Sequence, residues 1–103
     1  MCGIVVQIGS IPNDSQQRDA LAELKNRGPD GIGKFHDVGF PVWMGHTRLA
    51  INDKTHGSQP LFSRNKQIVA IINGELYGDR RIRQKLKVKG HVFSGHCDSN
   101  VLI

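Results

Sequence analysis

Apolar and polar positions come in short blocks along this chain of 103 residues. Cys2–Gly9 is an apolar run rich in β-branched residues and predicts a buried strand. Pro12 and Asn13 break that run. Asp14 then offers a helix cap, with Gln17 three residues on as its capping-box partner. Leu21 and Leu24 share a face of this helix, and Gly28 is where it should stop. Arg27-Gly28-Pro29-Asp30-Gly31 reads as a rigid loop dense in turn residues. Short strands are expected at Gly33–Val38 and Val42–Thr47, joined by a turn at Gly39–Pro41.

The second half is more polar. Leu49–Asn52 predicts a short extended piece and Asp53–Gln59 a polar loop. Gln67–Ile72 predicts a second buried strand. Asn73-Gly74 should end it in a sharp turn, because both residues tolerate positive φ. Asp79 starts a helix that places Ile82 and Leu86 one turn apart and closes at Gly90. His91–Ser94 reads as a brief strand and Gly95–Asp98 as a loop. Ser99–Ile103 predicts the first turn of a helix, capped by Asp98 or Ser99. Three terminal aliphatics, Val101-Leu102-Ile103, predict a chain that is truncated or completed by another chain.

Composition narrows the class. Aromatics are 6% of the chain, so the core must be built from Ile, Val and Leu. The length fits one domain or a piece of one. No apolar run approaches the ~20 residues of a membrane span. No basic leader precedes Met-Cys-Gly-Ile, so no signal peptide is expected. Two cysteines this far apart do not form a disulfide framework, which points to a reducing, cytoplasmic setting. The net charge of +5 invites a nucleic-acid reading. However, Arg80, Arg81, Arg83, Lys85, Lys87 and Lys89 stand against the single acid Asp79 in one segment, and the rest of the chain is balanced. That segment reads as a solvated helix face. No aromatic interleaves with it, which weakens single-strand stacking, so nucleic acid is not an expected partner; with no spanning run, neither is a membrane.

The chemistry starts at Cys2. Removal of Met1 gives this residue both a thiol and a free α-amine, and the amine can serve as the thiol's own base. By itself a cysteine after the initiator is more often a small buried residue. Its company changes the reading. Cys2-Gly3-Ile4, Arg27-Gly28-Pro29-Asp30-Gly31, Gly45-His46-Thr47-Arg48-Leu49-Ala50-Ile51, Gln59-Pro60-Leu61, Asn73-Gly74-Glu75-Leu76-Tyr77 and Cys97-Asp98-Ser99 follow one another in that order. This set resembles the class II glutamine amidotransferase domain, and most closely the glutaminase domain of glutamine-hydrolysing asparagine synthetases. The resemblance spans nearly the whole chain.

The resemblance implies an α+β fold of the N-terminal-nucleophile hydrolase type, a four-layer αββα sandwich. By that resemblance residues 1–103 would form a single partial glutaminase domain, with later strands and the synthetase domain absent. It further implies that Cys2 attacks the side-chain amide of L-glutamine, forming a γ-glutamyl thioester and releasing ammonia. By the same resemblance the Asn73 side chain and the Gly74 N–H would form the oxyanion hole. Arg48 clamps the substrate α-carboxylate, Glu75 and Asp98 hold its α-ammonium, and Leu49 and Ile51 complete the substrate-binding set. No cofactor is needed for this step. ATP and Mg would belong to the absent synthetase domain, and the expected partner is a synthetase domain or chain, or a self-associated oligomer.

Other residues are assigned plainer roles. His46 is expected to pack, and His36, His56, His91 and His96 to lie on the surface or in loops. His96-Cys97 with Cys2 lacks metal-site spacing, so no metal is expected. Asn100, Cys97 and Gly78 depart from the residues usual in these synthetases, and none of the three is a group expected to touch the reacting amide. The alternative reading is an inactive truncated relative acting as a binding or regulatory subunit of a synthetase.

Overall fold

A computed structural model describes residues 1–51, 55–93 and 95–103. Eight elements follow in order: β1 (Gly3–Ile8), α1 (Asp14–Glu23), β2 (Gly31–Asp37), β3 (Val42–Arg48), β4 (Leu61–Phe62), β5 (Val69–Ala70), α2 (Asp79–Val88) and a 3-10 helix, η1 (Asp98–Leu102). The fold is a small α+β arrangement with antiparallel sheets. β3 lies at the centre of a three-stranded sheet in the order β1-β3-β2, and β4 and β5 form a separate hairpin. Register pairs Ile4 with His46 and Gly33 with His46 from the other side.

The core sits on β3. Trp43, His46 and Thr47 are the most deeply buried large side chains. Because strand neighbours alternate in direction, Trp43 and Thr47 face one side and His46 the other. α1 packs on β3, burying Leu21, and the Thr47 hydroxyl donates to the Leu24 carbonyl at 2.9 Å. On the opposite side the hairpin approaches, with the Phe35 and Phe62 rings edge to face at 5.8 Å. Phe35 lies in register with Met44, two positions from His46, so this is the His46 face.

The structure corrects several expectations. β1 is an edge strand, and Ile4, Val6 and Ile8 are exposed on one of its faces. The fully enclosed strand is β3. The α1 cap is Asn13 rather than Asp14. Asn13 Oδ1 accepts from the Gln16 N–H, and Gln16 Oε1 accepts from the Asn13 N–H. Gln17 is instead buried and donates to the Pro12 carbonyl. α1 stops at Glu23, because the chain then turns through bonds three residues apart as far as Gly28.

The predicted strand 67–72 shrinks to Val69–Ala70, and its partner Leu61–Phe62 was not foreseen. Neither Asn73 nor Gly74 adopts positive φ, so the segment bends rather than forming a tight turn. Residues 91–93 are irregular, 49–50 carry no regular structure and 51 is a bend. The expected pieces over 52–54 and at 94 fall outside the described residues. η1 is capped by Cys97, with Asp98 as its first residue. In α2 the buried residue is Arg83, whereas Ile82 is exposed. No helix among the described residues is long and apolar enough to cross a membrane.

Candidate active site

Cys2 sits where β1 begins, and two other segments hold it. The Leu49 N–H donates to its Sγ at 3.3 Å, and the Leu49 carbonyl lies 3.9 Å from the same sulfur. Arg27 Nε donates to the Cys2 carbonyl at 3.2 Å. The Arg27–Gly31 loop also fixes the end of β3. The Asp30 N–H donates to the Arg48 carbonyl at 2.9 Å, and Asp30 Oδ2 accepts from the Ala50 N–H at 2.8 Å. Gly28 permits this approach, since a Cβ there would lie 2.3 Å from the Thr47 backbone. The loop therefore ties Cys2 to Arg48–Ala50.

Asn73 follows Ile72, whose backbone is bonded on both sides by the Gln59 carboxamide. Asn73 itself is half-buried, and its Oδ1 is wholly buried without a hydrogen-bond partner. Such orphaned acceptors are rare in folded proteins and call for a functional explanation. Asp98 is brought in by the far end of the chain. Its Oδ2 accepts from the Leu76 N–H at 2.6 Å, joining η1 to the segment that carries Glu75. Arg83 fixes the approach to η1. Its guanidinium donates to the carbonyls of Gly95 at 3.1 Å and Cys97 at 2.8 Å, and it stacks 4.8 Å from the centre of the Phe93 ring.

These segments line an open cavity of about 340 Å³, within the usual size of small-molecule sites. Cys2, Arg48, Leu49 and Ile51 line it, and so do Asn73, Gly74, Glu75 and Asp98. All eight residues singled out in the sequence therefore meet at one cavity. Both cysteines are free thiols, and Cys97 is buried beside the Ser99 hydroxyl at 3.1 Å. Among the described residues, no group of three His, Cys, Asp or Glu side chains is placed to hold a metal ion.

His46 is 1% exposed, one strand position from Thr47. Burial pushes its pKa below the usual imidazole value; the Ile72 carbonyl pulls it back, and the charge of Arg48 adds to the fall. Its Nε2 has no hydrogen-bond partner. The ring is thus a neutral packing group under the cavity wall. His36, His56, His91 and His96 are exposed.

Comparison with known proteins gives the family. The model of the glutamine amidotransferase domain matches residues 1–103. The chain belongs to the glutamine amidotransferase domain family. It is 37% identical to asparagine synthetase [glutamine-hydrolyzing] 2 of Arabidopsis thaliana over 99% of its own length. It is 38% identical to the nodule asparagine synthetase [glutamine-hydrolyzing] of Pisum sativum, again over 99% of its length. It spans 18% and 17% of those two relatives.

The cavity wall of this amidotransferase domain extends beyond those eight residues. Gln59, Ile72, Tyr77, Cys97 and Ser99 line the cavity too. Gln59 was visible only as part of the Gln59-Pro60-Leu61 motif, and Arg83 only as one charge in a basic run. Arg27 and Asp30 read as turn residues, although the Arg27 side chain holds the Cys2 carbonyl and Asp30 bonds the Arg48 carbonyl through its backbone and the Ala50 N–H through its carboxylate.

Proposed function

We propose that this amidotransferase domain hydrolyses the side-chain amide of L-glutamine to glutamate and ammonia through a thioester on Cys2. The observation that carries this reading is the meeting of Cys2, Arg48, Asn73, Gly74, Glu75 and Asp98 at one cavity. Arg48 binds the substrate α-carboxylate as a planar fork of donors. Glu75 and Asp98 bind the α-ammonium, which selects glutamine over a simple amide. Leu49 and Ile51 pack along the substrate.

Met1 is removed first in this mechanism. The freed α-amine of Cys2 takes the thiol proton, and Sγ attacks the amide carbon. The carbonyl oxygen gains the negative charge and is stabilised by the Asn73 amide nitrogen and the Gly74 N–H. The intermediate collapses as the α-ammonium returns its proton to the leaving nitrogen. Ammonia departs and a γ-glutamyl thioester remains. Water, deprotonated by the same amine, attacks the thioester; glutamate leaves and the thiol is restored. The step uses no cofactor.

The ammonia passes to an ATP-dependent synthetase of the asparagine-synthetase type, either a further domain or a separate chain, and ATP and Mg²⁺ belong to that partner. In the complete fold, further layers of the αββα sandwich cover the exposed face of β1. The setting is cytoplasmic. Glutamate release from glutamine tests the proposal: activity present in the chain lacking Met1 and lost in Cys2→Ala supports it. Equal turnover by both proteins overturns it.

A further inference from the structure

We infer that Gln59 is a positioning residue that fixes the Asn73–Gly74 pair by clamping Ile72, an inference that rests on the glutaminase reading of that pair. Gln59 Nε2 donates to the Ile72 carbonyl at 3.1 Å, and Gln59 Oε1 accepts from the Ile72 N–H at 2.6 Å. A carboxamide has the same planar donor and acceptor as a peptide group, so it can stand in for a neighbouring strand.

The register shows why a side chain is needed there. β4 and β5 pair Phe62 with Val69 and Leu61 with Ala70. Continued outward, the antiparallel register sets Pro60 opposite Ile71 and Gln59 opposite Ile72. Pro60 has no N–H to give, and the backbone ladder ends at Leu61. The Gln59 side chain resumes the pairing one step later and carries it to the residue before Asn73. That bond pair takes the place of the backbone pairing that the β4–β5 ladder lacks beyond Leu61 and Ala70.

Gln59 is itself held from behind. A Cβ on Gly33 of β2 would lie 1.7 Å from the Gln59 carbonyl oxygen. The backbone of Gln59 thus rests directly on the central sheet, and only glycine at position 33 leaves room for it. Rigid placement passes from β2 to Gln59, then to Ile72 and on to the two donors. Oxyanion donors act only when aimed at where charge develops, so small displacements reduce turnover more than substrate binding.

Gln59→Leu removes both bonds at similar volume, and Gln59→Glu keeps the acceptor for the Ile72 N–H. Both are made in this chain lacking Met1, residues 2–103. Glutamate release is measured against glutamine concentration, and amide hydrogen exchange is followed at Ile72 and across β3. The expected result for Gln59→Leu is a fall in kcat of at least about tenfold, with KM within about threefold of wild type. Ile72 exchanges at least about tenfold faster while the β3 amides hold. Gln59→Glu retains more of kcat than Gln59→Leu. Wild-type kcat in Gln59→Leu, or a change confined to KM, overturns the inference. Should Gln59→Leu loosen β3 as well, Gln59→Glu decides: reduced kcat with an intact β3 supports the clamp, and wild-type kcat overturns it. A wild-type chain that releases no glutamate overturns the glutaminase reading instead. Ile72 exchange then judges the clamp on its own, and unchanged exchange in Gln59→Leu removes it.

Discussion

The Leu49 N–H points at the Cys2 sulfur across 3.3 Å. This contact joins Cys2 to the strand end that carries Arg48, and no side-chain chemistry of Leu49 is involved. The sulfur is thereby held at the cavity wall rather than in the core. Cys97 lines the same cavity but is more deeply buried, 8% exposed and bonded to Ser99. Cys2 should therefore be alkylated first by iodoacetamide under native conditions, by about tenfold or more over Cys97. Peptide mass mapping after brief treatment reads the ratio. Equal labelling of both thiols would contradict the geometry.

Arg83 supports the cavity from outside. Its guanidinium satisfies the Gly95 and Cys97 carbonyls and lies against Phe93, although it is only 8% exposed. Arg83→Met keeps most of the aliphatic volume but leaves two carbonyls without a donor. The expected loss is about 2–4 kcal/mol in urea unfolding. Because Asp98 follows Cys97 directly, the variant should also raise KM for glutamine, by about threefold or more. The neighbouring Arg81→Met, on the exposed face, should change neither quantity by a measurable amount. A neutral Arg83→Met would mean that the loop from Gly95 to Asp98 holds itself.

How much of this was legible in the sequence depends on where the information lies. β3 and the residues of the cavity wall were readable, because strand alternation and short motifs leave local traces. The supports behind the wall were not. Arg83 bonds backbone carbonyls from within a run of like charges, and such a run looks solvated along its length. Gln59 extends a hairpin whose strands are two residues each, too short for any period to register. β1 has the composition of a buried strand, yet its place at the sheet edge is a matter of topology that the run of apolar residues does not encode.

The cap of α1 lies one residue before Asp14 for a similarly local reason. Asn13 and Asp14 are both cap formers, and Gln16 and Gln17 are both suitable partners. Gln17 is drawn inward to the Pro12 carbonyl, which leaves Gln16 to close the box on Asn13. Asn13→Ala should then cost about 1 kcal/mol in denaturant unfolding, and Asp14→Ala only a few tenths. Reversal of that order would restore Asp14 as the cap.

The pH dependence of stability should bear the mark of His46. Its native pKa is lowered, first by burial and then by Arg48, against the opposing pull of the Ile72 carbonyl. The unfolded chain carries this imidazole at its ordinary value of 6.5. Between the two values the unfolded state binds a proton that the native state does not. Stability therefore rises with pH through that window and levels off above it. Its stabilising share is fully present above pH 6.5 and is lost as pH falls toward the native pKa. One such group can contribute a slope of at most about 1.4 kcal/mol per pH unit. His46→Gln cannot take up that proton, so its unfolding free energy should vary less between pH 5 and 7.5, whatever its stability at neutral pH. Urea titrations at half-unit steps for both proteins give the comparison. Parallel curves would show that His46 keeps the same proton affinity folded and unfolded, and that its burial beneath the cavity wall is incomplete.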